Sequence, residues 1–84
     1  MRDVAIYTKL GCSYCSSAKQ LLRQKRVTHT EIDITGDARA RSLMIERSCR
    51  QTVPQIFAGD RHLGGCDDLY ALERAGKLDS LSAS

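Results

Sequence analysis

Two cysteines in the segment Cys12-Ser13-Tyr14-Cys15 constrain the possible folds of this chain more than any other feature. They lie where a short apolar run at 4–7 gives way, through a glycine-containing loop, to a helical pattern. Cysteines three residues apart at the start of a helix lie one turn apart on the same side of it. The free N–H groups and the dipole of the first turn favour an anion at the helix tip. We therefore expect Cys12 to ionise readily and act as the nucleophile, and Cys15 to act as the resolving thiol.

The pattern of apolar residues predicts the element order β-α-β-α-β-β-α in one domain that spans residues 1–84. Short apolar or alternating runs indicate strands, and apolar positions spaced three and four residues apart indicate helices. The predicted strands cover 4–8, 29–34, 55–58 and 61–63, and the predicted helices cover 12–26, 38–48 and 66–75. Gly59 and Asp60 predict a two-residue hairpin turn, Gly76 predicts the end of the last helix, and 79–84 is expected to be a frayed tail.

This element order predicts an α/β fold. A strand, a helix and a second strand in succession form a right-handed unit with parallel strands. With a C-x-x-C motif at the first strand-to-helix junction, the order is typical of a thioredoxin-like fold, a four-stranded mixed sheet with helices on both faces. The helix positions expected to face inward are Ala40, Leu43 and Met44 in the second helix and Leu69 and Leu72 in the third.

Composition narrows the class of function. The formal net charge is +3, and aromatic side chains do not interleave with the basic ones, so nucleic-acid binding is not indicated. No export signal or membrane-spanning apolar stretch is visible, so we expect a cytoplasmic protein with reduced thiols and no membrane partner. A zinc site would need two more ligands beside the C-x-x-C pair. Cys49 and Cys66 form no second pair, and His29 and His62 share no helix face, so we expect no metal site.

Three motifs together resemble the glutaredoxin family, specifically its short bacterial dithiol type. They are Lys9 followed by Cys12-Ser13-Tyr14-Cys15, then Thr52-Val53-Pro54, then Gly64-Gly65-Cys66-Asp67-Asp68. The spacing between the motifs matches that family over nearly the whole chain. The resemblance implies a glutathione-dependent thiol–disulfide oxidoreductase that reduces protein disulfides and protein–glutathione mixed disulfides. It also implies a monomer that uses glutathione as its reductant and holds no tightly bound cofactor.

The resemblance further implies a glutathione-binding site beside the cysteines. Pro54 would follow a cis peptide bond, so that the backbone of Val53 could pair with glutathione as an added strand. Lys9 and Arg41 would hold the glycine carboxylate of glutathione, and Thr52 would lie alongside it. Without the resemblance, Lys9 and Arg41 would be interpreted as ordinary surface charges.

The last motif would bind the other end of glutathione. The N–H groups of Cys66 and Asp67, at a helix N-terminus, would take the γ-glutamyl carboxylate, and the Asp67 side chain would accept the ammonium group. Gly65 would allow the backbone to approach glutathione closely. Tyr14 is a further predicted residue of the same glutathione-binding site. The alternative for Asp67 is a first-turn acid that the helix dipole favours. Cys66 is interpreted as a packing residue, with glutathionylation as the alternative.

Two positions depart from the family pattern. Ser13 stands where the family usually has proline, and loss of that proline also resembles members that bridge a [2Fe–2S] cluster between two subunits. A cluster-binding dimer that carries iron and sulfur, with Cys12 and glutathione as ligands, is therefore the alternative function. Cys49 stands where relatives tend to have glycine, near the end of the second helix. If φ is positive there, the cysteine costs about 1–2 kcal/mol.

Overall fold

The computed structural model of the chain describes residues 3–78, so the predicted frayed tail at 79–84 lies outside the described residues. The elements follow the predicted order. They are β1 (Val4–Thr8), α1 (Ser13–Gln24), β2 (His29–Asp33), α2 (Ala38–Ser48), β3 (Gln55–Ala58), β4 (Arg61–Gly64) and α3 (Cys66–Arg74). None of these helices is long and apolar enough to span a membrane.

The strands form one mixed sheet of four, in the order β2-β1-β3-β4. β1 pairs in parallel with β2, which confirms the predicted strand–helix–strand unit, and β3 pairs antiparallel with both β1 and β4. Gly59, with φ of 60°, lies in the tight turn where Ala58 pairs with Arg61, as the sequence predicted. β1 therefore lies inside the sheet, and the loop that follows it carries the first cysteine.

Helices cover both faces of the sheet, which confirms the predicted thioredoxin-like architecture. On one face α1 and α3 pack over an apolar cluster that includes Val4, Ile6, Ala18, Leu21, Leu22, Ile56, Ala58, Cys66, Leu69 and Leu78. On the other face Met44 of α2 packs with Tyr7, Ile34 and Phe57. The ring of Phe57 meets Tyr7 edge-on, with centroids 5.8 Å apart.

The prediction that Leu43 faces inward was wrong, because 47% of its surface is exposed. Met44 is fully buried, and Ser48, one turn later on the same face, is also buried. The Ser48 hydroxyl donates to the carbonyl of Met44 at 2.7 Å, which satisfies a polar group on the inward face. Apolar residues at 43, 44 and 45 cannot all face the sheet, and the polar Ser48 gave no sign of which face was buried.

The helices end in left-handed residues. Gly76 (φ 71°) follows α3, and the N–H of Lys77 donates to the carbonyl of Leu72 at 2.9 Å, so the predicted glycine end is confirmed. Cys49 ends α2 with φ of 59°, the positive value that the sequence analysis considered. Arg26 (φ 57°) ends α1 in the same way, and the helix stops at residue 24 rather than 26.

Candidate active site

Cys12 is the N-cap residue of α1. Its backbone is extended (φ −93°, ψ 109°), and its Sγ accepts a hydrogen bond from the N–H of Cys15 at 3.2 Å. The same sulfur lies 3.9 Å from the carbonyl oxygen of Val53, in the loop before β3. Cys12 is half-exposed, whereas Cys15 is only 2% exposed. A substrate sulfur can therefore reach Cys12 from solvent but cannot reach Cys15 directly.

The burial of Cys15 also governs its protonation. Burial raises the pKa of the Cys15 thiol to about 12, and the hydrogen bond to Cys12 adds to the effect. A backbone hydrogen bond at Lys9 and the charge of Lys19 act in the opposite direction. Cys15 is therefore a thiol at neutral pH. It can attack only after something lowers its pKa or removes its proton.

A groove of about 310 Å³ brings together most residues of the predicted glutathione site. The predicted residues that line it are Tyr14, Thr52, Val53, Pro54, Gly65, Cys66 and Asp67. The bond between Val53 and Pro54 is cis. Because the Val53 carbonyl lies 3.9 Å from Cys12 Sγ, one wall of the groove adjoins the exposed sulfur.

A buried amide holds the Thr52 end of this wall. Gln55 is 1% exposed, and its Nε2 donates to the carbonyl oxygen of Thr52 at 3.0 Å and to the Thr52 hydroxyl at 3.3 Å. Its Oε1 lies 2.7 Å from Nε2 of His62, so this ring nitrogen is the donor. Burial, followed by the charge of Arg50, lowers the pKa of His62. The hydrogen bonds that run from His62 through Gln55 to Thr52 hold in place the segment just before the cis peptide bond.

The N-terminus of α3 forms the opposite wall. The N–H of Gly65 donates to Asp68 Oδ2 at 2.9 Å, and Arg50 forms an ion pair with the same oxygen at 3.2 Å. The Gly65 hydrogen bond, followed by Arg50, lowers the pKa of Asp68. A Cβ at Gly65 would lie 3.3 Å from the carbonyl oxygen of Pro54, so glycine allows the two walls to approach. Burial raises the pKa of the Cys66 thiol, which packs into the core below.

Two predicted glutathione-binding residues do not line the groove. Lys9 lies in a second cavity of about 340 Å³ that both active-site cysteines also line. Arg41 is exposed on α2 and lines neither cavity. Among residues 3–78, no group of three or more His, Cys, Asp or Glu side chains is placed to hold a metal ion.

The groove also contains three residues that the sequence analysis did not select, namely Arg50, Gln55 and Asp68. One signal was available for Gln55, because it is the only polar residue in the short strand 55–58. Asp68 belongs to the third motif, but the sequence alone indicates no separate role for it. Arg50 carried no signal, since the partner that orients it is distant in sequence.

Comparison with known proteins agrees with this geometry. The family model for glutaredoxin matches residues 4–63. The chain is 56% identical to glutaredoxin 3 of Escherichia coli (strain K12) over 81 residues, which cover 96% of this chain and 98% of that protein.

Two solved structures extend the likeness to three dimensions. The solution structure of glutaredoxin from Brucella melitensis is 55% identical to this chain, with a TM-score of 0.84. The match covers 100% of this chain and 94% of that one. The crystal structure of a buckwheat glutaredoxin–glutathione complex is 27% identical to this chain, with a TM-score of 0.86. The match covers 98% of this chain and 77% of that one. The chain therefore belongs to the glutaredoxin family of thiol–disulfide oxidoreductases.

Proposed function

We propose that this protein uses glutathione to reduce protein disulfides and protein–glutathione mixed disulfides. The observation that carries the proposal is the difference between the two cysteines. Cys12 is accessible at the tip of α1 beside the groove, and Cys15 is buried one turn behind it. One thiol can thus meet the substrate while the other is held back to resolve the adduct.

The reaction proceeds by successive thiol–disulfide exchanges. The Cys12 thiolate attacks one sulfur of the substrate disulfide, and the other sulfur leaves as a thiolate that takes a proton from water. For a dithiol substrate, Cys15 loses its proton and attacks Cys12 Sγ, which forms the Cys12–Cys15 disulfide and releases the reduced substrate. One glutathione then opens this disulfide to give a Cys12–glutathione adduct. A second glutathione attacks the adduct and leaves as glutathione disulfide.

The groove offers polar backbone groups that suit two parts of glutathione. The backbone of Val53 can pair with the tripeptide as an added strand. The N–H groups of Cys66 and Asp67 begin α3, where the dipole favours the γ-glutamyl carboxylate. The buckwheat relative, solved as a glutathione complex, supports the same ligand here. Lys9 and Arg41 remain proposed partners of the glycine carboxylate.

We also propose that the protein acts in the cytoplasm as a monomer, with glutathione and disulfide-containing or glutathionylated proteins as its partners. The proposed exchange needs free thiols at Cys12 and Cys15, and the cytoplasm is a compartment that keeps thiols reduced. Gel filtration with light scattering of the reduced protein would test the monomer, and a dimer under these conditions would contradict it.

Single-cysteine variants test the proposed division of roles. Cys12→Ser should abolish all activity. Cys15→Ser should still remove glutathione from a glutathionylated protein, which requires one thiol, but should fail to reduce a protein disulfide. Cys49→Ser is the matched control, because that thiol is exposed and lines neither cavity. Equal loss of both activities in Cys15→Ser would contradict the one-thiol route.

The alternative function is a [2Fe–2S] carrier, which the serine at position 13 favours. Residues 3–78 hold no group of three or more side chains that could bind a metal ion, so a cluster would need ligands from outside one chain. By the family resemblance, Cys12 of each of two copies and bound glutathione would supply them. Anaerobic reconstitution with iron, sulfide and glutathione would test this. Visible absorption together with a dimeric mass would support the carrier, and a colourless monomer would refute it.

A further inference from the structure

The second cavity, of about 340 Å³, shares no lining residue with the groove. Both active-site cysteines line it, so it adjoins the reacting sulfur atoms from another direction. Its charged side chains come from three elements: Lys9 from the loop after β1, Lys19 from α1, and Glu31 and Asp33 from β2.

The carboxylate of Glu31 is held by two donors. The Thr8 hydroxyl donates to Oε2 at 2.7 Å, and the Nζ of Lys19 donates to the same oxygen at 3.0 Å. Thr8 is 2% exposed, so its hydroxyl is a fixed anchor at the end of β1. These hydrogen bonds, with that of Thr8 the larger, lower the pKa of Glu31. Glu31 is therefore ionised and keeps the Lys19 ammonium at the cavity wall.

Lys19 and Cys15 both line this cavity. The two residues are four apart on α1, and so lie on the same face of the helix. The positive charge of Lys19 favours the Cys15 thiolate and opposes the effect of burial. In the free enzyme, the hydrogen bond to Cys12 and the charge of Cys12 also hold the proton on Cys15. Both of these effects end once Cys12 is bonded to a substrate sulfur, whereas the effect of Lys19 persists.

The other charged groups of the cavity are not suited to remove this proton. Asp33 accepts a hydrogen bond from the N–H of Thr35 at 2.8 Å, which lowers its pKa. The Glu31 carboxylate is engaged by Thr8 and Lys19. The hydrogen bonds of both carboxylates in the described structure go to Thr8, Lys19 and Thr35 and none goes to the Cys15 thiol, so the proton passes to solvent through the cavity.

We propose that Lys19, held by Glu31 and Thr8, is a positioning residue that promotes ionisation of Cys15 in the resolving step. Cys15 gives its proton to water, and its thiolate attacks Cys12 Sγ. The new Cys12–Cys15 bond forms as the bond from Cys12 to the substrate breaks, and the substrate sulfur leaves with the electron pair and takes a proton from water. This inference rests on the proposed function, since it requires Cys15 to be the resolving thiol.

The test is the rate of resolution in Lys19→Gln. A mixed disulfide between Cys12 and a dithiol peptide would be followed by rapid mixing from pH 6 to 10. A higher Cys15 pKa reduces the thiolate fraction but makes the thiolate more nucleophilic. At pH values below the pKa of Cys15, the resolution rate should therefore fall about three- to fourfold for each unit by which that pKa rises. The pH profile of the rate should shift to higher pH. Lys19→Arg keeps the charge and should retain most of the rate.

Two controls separate this role from a structural one. Lys25→Gln removes a comparable ion pair, with Glu73 at 3.3 Å, at the C-terminal end of α1. Lys25 does not line the cavity, and the substitution should leave resolution unchanged. In a Cys15→Ser background, Lys19→Gln should not affect deglutathionylation.

An unchanged resolution rate in Lys19→Gln would overturn the inference. An equal loss in the Cys15→Ser background, or an equal loss in Lys19→Arg, would also overturn it. If Cys15→Ser still fails to reduce protein disulfides while Lys19→Gln is normal, the proposed function stands and only the role of Lys19 fails.

Discussion

Asp68→Ala should destabilise the protein by removing the acceptor at the start of α3. Asp68 Oδ2 accepts the N–H of Gly65 at 2.9 Å and pairs with Arg50 at 3.2 Å. Gly65 is the N-cap residue and has no side chain that could satisfy the first turn from its own position. Asp68 therefore performs the capping alone, and alanine would leave the N–H of Gly65 to water.

The expected loss follows from these two contacts. A hydrogen bond to a charged group contributes about 1.5–3 kcal/mol, and an exposed ion pair contributes about 0–1 kcal/mol. The Asp68 side chain is 48% exposed, so the lower end of each range applies. We expect the free energy of unfolding to fall by about 1–2 kcal/mol. For a domain of this size, that lowers the melting temperature by roughly 5–15 °C.

The pH dependence of the loss is the sharper test. The pKa of Asp68 is lowered in the folded protein, chiefly by the N–H of Gly65. Its stabilisation is therefore complete above the unfolded pKa of about 3.9 and is lost as the pH falls through the lower folded value. Thermal unfolding monitored by circular dichroism should show a gap in melting temperature between the parent protein and Asp68→Ala at pH 7, and this gap should narrow towards pH 2.

Asp68→Asn serves as the matched control, because the amide keeps an acceptor for the N–H of Gly65 and loses the charge. We expect it to lie between the parent protein and Asp68→Ala at pH 7. A gap between the parent protein and Asp68→Ala that stays constant across this pH range, or no gap at pH 7, would refute the assignment of capping to the Asp68 carboxylate.

Three further substitutions test other parts of the structure. Cys49→Gly should raise the free energy of unfolding by up to about 1 kcal/mol, because φ is 59° there; a lower value in urea titration would contradict this. Gln55→Leu removes the amide that donates to the Thr52 carbonyl. It should raise KM for a glutathionylated substrate by up to about tenfold at unchanged kcat, and an unchanged KM would count against the role of the amide. Ser13→Pro removes an N–H near the Cys12 thiolate. It should lower the reduction potential by some tens of millivolts and reduce any cluster binding. A glutathione redox equilibrium like that of the parent protein would make the serine a neutral replacement.

Local sequence determined the order of the elements and the place of the reactive cysteines. The C-x-x-C pair follows a buried strand and opens a helix, and both features can be read from neighbouring residues. Turn residues such as Gly59 and Gly76 act through their own backbone conformations, so their positions predicted the hairpin and the end of α3. The predicted end of α1 was two residues too late, because Arg26 adopts a conformation that favours glycine.

Only the tertiary structure decided which side chains meet. Leu43 and Met44 are equally apolar neighbours, and the packing of α2 on the sheet buries one and exposes the other. Gln55 and Asp68 acquire their roles from partners that the strand register and the placement of α3 bring close. The pairing of Lys19 with Glu31 exists because β2 lies parallel to β1 beneath α1. Contacts between residues distant in the chain depend on how elements pack, and local periodicity indicates a buried face but not which element covers it.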